Sequence, residues 1–145
     1  MPQGFCLCGE LAYEYTGEPA ITALCHCHSC HCHSCHCHSC QKWCGAISSN
    51  VLVPRAQFTL LKGTPKTFEA PGNFGKINKR SFCFTCGTSL FGELEIMPDF
   101  IGIKAGALDG GVADYKKVMT EFYTDERLSF CKALEGAKQE PKFGI

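Results

Sequence analysis

Cysteines are the residues of this sequence whose types and spacing most directly predict chemistry. Cys6 and Cys8 form a C-x-C motif that is followed by a glycine. Cys83 and Cys86 form a C-x-x-C motif that is also followed by a glycine. Such turns are typical of zinc-binding knuckles, because the sulfurs converge and glycine lets the turn close around them. A metal also suits a C-x-C motif better than a disulfide does, since a bridge across one residue is strained.

The two motifs together supply four thiolates, which predicts a closed tetrahedral zinc site of the structural kind. A third group of cysteines, the tract Cys25–Cys40, repeats the spacing C-x-C-x-x-C. Three sulfurs leave one zinc position for water or substrate, as in catalytic sites. Thiolate ligands make zinc a poor generator of hydroxide, so a substrate thiol bound as thiolate suits that position better. The alternative is that His26, His28 or Cys44 fills the position and leaves this zinc inert.

The tract reads CHCHSCHCHSCHCHSC and holds seven of the 13 cysteines and all six histidines. It contains the pentad His-Cys-His-Ser-Cys three times without a change, and five residues are too few to form a repeating structural unit. Two interpretations remain: a real low-complexity tract that collects soft metals, or an artefact in which one pentad is recorded three times. The identity of the copies favours the artefact. A single copy corresponds, from the left or from the right, to Cys25, Cys27 and Cys30 or to Cys35, Cys37 and Cys40.

Length and charge restrict the class of protein. The 145 residues carry 14 Lys and Arg against 14 Asp and Glu, so bulk charge gives no reason to expect nucleic acid or anionic lipid as a partner. No apolar stretch approaches the roughly 18 residues of a membrane-spanning helix, and the N-terminus lacks the basic region of a signal peptide. We therefore predict a cytoplasmic protein with one domain, residues 1–145, and no membrane or nucleic-acid partner. The oligomeric state stays open.

Rigid elements must bring these cysteines together, and the sequence between them predicts β-strands. Short apolar or alternating runs recur between clusters of Gly, Pro, Asn and Asp, which favours an antiparallel all-β domain. The predicted strands are Leu11–Tyr15, Ala20–Leu24, Ile47–Val53, Phe58–Leu61, Thr67–Glu69, Ser89–Glu95, Phe100–Lys104 and Val118–Tyr123. A helical turn is predicted only within Asp125–Leu134.

The aromatic residues are of two kinds. The phenylalanines are predicted to form the core, because aromatic side chains supply much of the buried area of a small β domain. They include Phe5, Phe58, Phe68, Phe82, Phe84, Phe91 and Phe100. Trp43 closely follows the tract, a position from which it would cover the metal site.

Six motifs follow one another along the chain: Gly4–Gly9, Ala23–Cys27, Cys40–Gly45, Arg80–Thr88, Lys104–Asp109 and Leu134–Gly136. Together they resemble the glutathione-dependent formaldehyde-activating enzyme family, which includes centromere protein V. The chain departs from the family pattern in two ways. The triplicated pentad has no counterpart there, and Cys44 stands where a serine is common.

The resemblance implies an all-β fold of several coiled antiparallel sheets with little helix and two zinc ions. It assigns the structural zinc to Cys6, Cys8, Cys83 and Cys86. It assigns the catalytic zinc to Cys25, Cys27 and Cys30, or to their right-hand equivalents Cys35, Cys37 and Cys40. The implied activity is that of a zinc-dependent carbon–sulfur lyase or synthase, which joins glutathione to formaldehyde and gives S-(hydroxymethyl)glutathione.

Further residues are candidates for parts of this reaction. His26 and His28 are the acid–base candidates next to the catalytic cysteines. The alternative is that they are spacers or that they hold a metal ligand in position by a hydrogen bond. Lys42, Arg80 and Lys104 would contact glutathione carboxylates, unless they are ordinary surface charges. Two other functions compete with catalysis. One is a non-enzymatic, zinc-stabilised binding module, and the other is a metal buffer, which requires a real repeat and predicts more than two metal ions per chain.

Overall fold

The computed structural model describes residues 1–26, 40–45, 47–71, 75–109 and 117–143, with the backbone alone at Cys40 and Gln41. The strands are β1 Gln3–Phe5, β2 Ala12–Tyr15, β3 Ile21–Cys25, β4 Ser48–Pro54, β5 Phe58–Lys62, β6 Lys66–Pro71, β7 Ile77–Phe82, β8 Ser89–Leu94, β9 Phe100–Lys104, β10 Thr120–Phe122 and β11 Lys138–Glu140. The short helix α1 is Cys40–Cys44. Turns of 3-10 helix are Arg55–Gln57, Ala105–Ala107 and Thr124–Glu126.

The strands form two sheets, which confirms the predicted all-β fold. The smaller sheet has the order β1-β2-β5, and the larger one has the order β11-β10-β3-β4-β9-β8-β7-β6. Neighbouring strands of the described chain run antiparallel except at β10, which is parallel to both β3 and β11. This parallel strand brings the C-terminal part of the chain beside β3, which leads into the Cys/His tract.

Side chains alternate along the larger sheet, so its two faces differ. Val51, Val53, Ile101 and Ile103 point to one face and are at most 4% exposed. They belong to the same core cluster as Tyr13 of the smaller sheet, so the core lies where the two sheets meet. The opposite face of the larger sheet carries the polar side chains described below.

Aromatic rings of both sheets join in the core. The rings of Tyr13 and Phe58 are stacked with centroids 5.4 Å apart, and Phe91 packs edge-on against Phe58 at 4.9 Å. The predicted core position is therefore confirmed for Phe91. It is wrong for Phe5, Phe68 and Phe84, which are exposed by 39, 57 and 76%. Phe5 points outward from edge strand β1, Phe68 lies on edge strand β6, and Phe84 lies in the turn between two cysteines.

All eight predicted strands are present, with ends shifted by at most two residues. The sequence does not predict β1, β7, β11 or helix α1. Of the predicted helical segment Asp125–Leu134, the structure forms only the 3-10 turn Thr124–Glu126, which overlaps its first residues. Residues 127–137 contain turns and chain without regular secondary structure.

Candidate functional site

The four cysteines that the sequence assigns to one closed site lie together. The sulfur atoms of Cys6, Cys8, Cys83 and Cys86 all lie within 4.8 Å of one another. Those of Cys6 and Cys8 are 3.5 Å apart, and those of Cys8 and Cys83 are 3.6 Å apart. A tetrahedral zinc ion with bonds of about 2.3 Å holds its sulfurs roughly 3.8 Å apart. The spacing of this four-cysteine cluster therefore fits a zinc ion.

The two loops that supply these sulfurs close in the same way. The backbone N–H groups of Cys6 and Cys83 each donate to the carbonyl five residues further along, at 3.1 and 3.0 Å. Gly9 and Gly87 adopt φ of +77° and +73°, a conformation that glycine reaches without strain. Cys6 follows β1 of the smaller sheet and Cys83 follows β7 of the larger one. The cluster therefore joins one sheet to the other.

Electrostatics within the cluster favour a bound cation. Hydrogen bonds from Thr88 lower the pKa of Cys86 to about 5. A backbone hydrogen bond at Glu10 by itself lowers the pKa of Cys8, but desolvation and the other three sulfurs together raise it to about 12. Adjacent thiolates repel, so four of them at this distance require a compensating positive charge. A divalent metal ion supplies that charge, and zinc prefers such a sulfur set.

The second group of cysteines is described only at its two ends. Cys25 is the last residue of β3, pairs with Ser48 of β4 and is half-buried. Cys40 is the first residue of α1. The other predicted ligands and acid–base candidates lie outside the described residues, namely Cys27, His28, Cys30, Cys35 and Cys37. The catalytic triplet therefore stays a prediction.

His26, which follows Cys25 directly, is 1% exposed. Its Nε2 lies 2.8 Å from Oε1 of Glu121, and its backbone N–H donates to the carbonyl of Phe122 at 3.0 Å. Glu121 is itself 1% exposed and lies 3.3 Å from the guanidinium of Arg127. Its Oε2 accepts hydrogen bonds from the Leu134 N–H and from the side-chain amide of Gln139. This buried network fixes the point at which the chain leaves β3.

A cleft of about 150 Å³ opens on the face of the larger sheet that is turned away from the core. Its floor is formed by alternate residues of β3, β4, β9, β8 and β7, among them Cys25, Asn50 and Gly102. The described lining contains four cations and no carboxylate, and the cations are Lys76, Lys79, Arg80 and Lys104. Clefts lined by one sign of charge concentrate ligands of the opposite sign. The cleft therefore suits an anionic molecule.

Lys104 forms part of a buried polar group on the cleft floor. Its side chain is enclosed, since the residue is only 9% exposed. The Nζ donates to Ser48 Oγ at 2.6 Å and to Asn50 Oδ1 at 2.7 Å. The thiol of Cys44 lies 3.6 Å from the same Ser48 hydroxyl. Ser48 pairs with Cys25, the last residue of β3, so this polar group lies beside the strand end from which the Cys/His tract begins.

Trp43 lines the cleft, between two cations. The Nζ of Lys104 lies 4.4 Å from the indole centroid, and the guanidinium carbon of Arg80 lies 5.0 Å from it. The ring lies over β8 where Gly92 leaves space, since a Cβ there would stand 3.7 Å from the indole. Lys42 is exposed and does not line the cleft in the described structure.

Two residues of this site, Ser48 and Asn50, could not be predicted from the sequence. Ser48 and Asn50 lie on a strand whose apolar alternation identifies it as a strand, but nothing in their spacing marks them as functional. Their role emerges only from register, because β4 pairs with β9 and sets Asn50 opposite Lys104. Strand pairing at long range thus assembles the site.

An all-β fold with a four-cysteine cluster of metal-binding geometry defines the class of this protein. The sequence model of the glutathione-dependent formaldehyde-activating enzyme family matches residues 1–126. The chain belongs to this family, as the motifs predict. The activity of the family is glutathione-dependent activation of formaldehyde. None of the curated proteins matches the chain closely enough to count as a relative.

One solved structure with the same fold is a crystal structure of a protein from Rhodobacter sphaeroides, a structural genomics target. It is 20% identical, with a TM-score of 0.55, and the match covers 74% of this chain and 88% of that one. At this identity the likeness concerns the fold alone. Separately, no helix in the described part of the chain has both the length and the apolar character that crossing a membrane would require.

Proposed function

We propose that this protein is a zinc-dependent enzyme that joins glutathione to formaldehyde, giving S-(hydroxymethyl)glutathione, and that cleaves the same adduct in reverse. Family membership supports this reaction class. The observation that carries the proposal is the position of Cys25, which ends β3 in a cleft whose described lining has cations and no carboxylate. Glutathione is an anionic thiol, which is the kind of molecule that such a cleft attracts.

Two zinc ions would occupy the chain. The first would be held by Cys6, Cys8, Cys83 and Cys86, whose spacing and charge fit it. The second would be held by Cys25 with Cys27 and Cys30, or by the equivalent triplet Cys35, Cys37 and Cys40. When bound there, zinc stabilises a substrate thiol in its nucleophilic thiolate form.

The cleft residues would bind and orient the rest of glutathione. Arg80 lies on β7 and Lys76 lies just before that strand, where both can pair with the carboxylates of the tripeptide. Trp43 offers an apolar face for its methylene groups. Lys79 is the weaker candidate for a carboxylate partner, because its side chain alternates with those of Asn78 and Arg80 along β7 and lies 3.7 Å from Glu93.

His26 is better suited to positioning than to proton transfer. It is not among the residues that line the cleft, and its Nε2 bonds to the buried Glu121. It would hold the end of β3, and thereby Cys25, in place. His28 keeps its predicted acid–base role.

The proposal is tested by the rate at which the adduct forms. Nuclear magnetic resonance follows S-(hydroxymethyl)glutathione formation from glutathione and formaldehyde, with zinc-loaded protein and without it. We expect the zinc-loaded protein to accelerate the reaction and Cys25→Ala to remove the acceleration. If the right-hand triplet Cys35, Cys37 and Cys40 holds the zinc instead, Cys40→Ala should remove the acceleration and Cys25→Ala should not. Cys131→Ala is the matched control, since Cys131 is also half-buried but lies outside the cluster and the cleft.

A further inference from the structure

We infer that Lys104 is a catalytic residue that stabilises and protonates the oxyanion formed when the thiol adds to the carbonyl carbon. The inference rests on the proposed thiol addition and adds to it a residue with a stated role. It starts from one unusual feature, which is a lysine that is 91% buried among neutral partners.

Among the described residues, the ammonium group of Lys104 has hydrogen-bond partners but no counter-ion. Two of its donors meet the oxygens of Ser48 and Asn50, and the face of Trp43 lies 4.4 Å away. No carboxylate of the described residues forms an ion pair with it. Burying a charge without an opposite charge is costly, so such a group is retained where a ligand supplies the anion.

Neighbouring groups hold this lysine rigidly. Ser48 and Asn50 are themselves buried, and the Ser48 hydroxyl donates to Asn50 Oδ1 at 3.0 Å. The Asn50 amide donates back to the Ser48 carbonyl at 2.9 Å. A cation fixed in advance by such a network stabilises developing negative charge without the cost of reorganising solvent.

The position of Lys104 indicates which anion it meets. Asn50 pairs with Lys104 on one side and with Ala23 on the other, two residues before Cys25. Lys104 is therefore on the buried floor close to the strand end where the thiol would react. Arg80 lies further across the sheet and is more exposed, which suits it to a carboxylate of the thiol substrate.

The step balances without any further reactant. The substrate sulfur forms a bond with the carbonyl carbon, and the carbon–oxygen π pair moves onto the oxygen. The oxygen then takes a proton from Lys104 Nζ, which recovers one from the proton that the thiol released. The products are the hydroxymethyl thioether and unchanged enzyme, and the reverse step follows the same path.

Rates of Lys104 variants separate this role from simple binding. In zinc-loaded protein we expect Lys104→Met to lower kcat on the order of a hundredfold and to leave KM for glutathione within about twofold. Lys104→Arg should recover part of kcat. Arg80→Gln should instead raise KM and leave kcat nearly unchanged. Equal kcat in wild type and Lys104→Met, or a loss confined to KM, overturns the inference.

A binding measurement tests the same cation without turnover. Trp43 is the single tryptophan of the chain, so its fluorescence reports on the neighbourhood of Lys104. Formate resembles the one-carbon oxyanion, and we expect it to change the fluorescence saturably at constant ionic strength, whereas neutral formamide should not. Lys104→Met should abolish the response, and Lys132→Met, at an exposed lysine outside the cleft, should keep it. An equal response to formamide, a response that survives in Lys104→Met, or no response at all contradicts the inference.

These two readouts distinguish the failure of each proposal. If wild-type protein does not accelerate adduct formation, the proposed function fails, whatever formate does. If wild type accelerates the reaction and Lys104→Met is as fast, only the role of Lys104 fails. The comparison of formate with formamide uses wild type alone, so the inference stays testable even if Lys104→Met does not fold.

Discussion

The four-cysteine cluster and the cleft at Cys25 use the same residue type in opposite surroundings. In the cluster, two short loops enclose the sulfurs, and the tightest turns contain glycines with positive φ. At the cleft, Cys25 stands at a strand end beside cations, an indole and a buried polar group. The cluster has all four of its ligands, whereas the cleft leaves room for another molecule.

On the proposed function, this contrast separates stability from reactivity within one chain. A metal ion held by the four-cysteine cluster would be fully coordinated, would join the two sheets and would have no position for substrate. The cleft is built on a sheet that hydrogen bonding and the core already hold in place, so its residues are available for ligand. Each prediction below tests one side of the contrast against the other.

The largest effect is expected from breaking the four-cysteine cluster. Cys83→Ser removes a buried ligand from the site that joins the two sheets. Metal binding in such sites contributes directly to folding, so we expect a loss of at least about 3 kcal/mol and a melting temperature lower by roughly 10 °C. Thermal unfolding of the zinc-loaded protein, followed by circular dichroism, measures the change.

Two matched serine variants complete this experiment. Cys25→Ser and Cys131→Ser should each stay within about 1 kcal/mol of wild type, because neither belongs to the cluster. Metal analysis should find two zinc ions in wild type and one in Cys83→Ser. If Cys25→Ser destabilises the protein as much as Cys83→Ser, the four-cysteine cluster and the cleft do not differ in their contribution to stability. More than two metal ions per chain would favour a metal buffer.

How much the sequence predicts also differs between the two regions. The cluster could be predicted because its chemistry lies in local spacing, two cysteines to each turn. Strand β7 escapes prediction because Asn78 and Arg80 occupy the cleft face, where an ordinary strand would show apolar alternation. Ser48 and Asn50 meet Lys104 only through strand register, which no local pattern encodes. Polar residues on the cleft face thus interrupt the alternation of apolar and polar residues from which a strand is predicted.

An intermediate effect is expected from the buried network beside Cys25. Glu121→Gln removes the negative charge that pairs with His26 and Arg127 in a site where Glu121 is 1% exposed. We expect a loss of roughly 2 kcal/mol, since one member of a buried charged group is left without its partner. Chemical denaturation at pH 7 measures this loss, and Glu135→Gln, at an exposed glutamate in the same part of the chain, is the control.

The pH dependence of Glu121 gives a second test of that network. Burial alone would raise its pKa, but hydrogen bonds from Gln139, Leu134 and His26, with the charge of Arg127, lower it below its usual range. A carboxyl whose pKa is lower in the folded state stabilises the fold above the ordinary carboxyl pKa, near about 4, and loses that effect as the pH falls. The stability difference between wild type and Glu121→Gln should therefore shrink as the pH falls below that range. A difference that grows there would contradict the assignment.

The smallest effect is expected from the backbone of the cluster. Gly87 has φ of +73° and its missing Cβ would meet no atom within 4 Å, so Gly87→Ala tests conformation without crowding. We expect a loss of about 1 kcal/mol, because residues with a Cβ rarely adopt this conformation. Gly106 also has open space around it but no positive φ, so Gly106→Ala should be neutral or slightly stabilising. If both variants unfold at the same denaturant concentration, the turn is not under the conformational constraint that we assign to the cluster. If only Gly87→Ala is weaker and its zinc content stays at two, the strained turn affects stability without affecting coordination, which is the behaviour expected of a closed site.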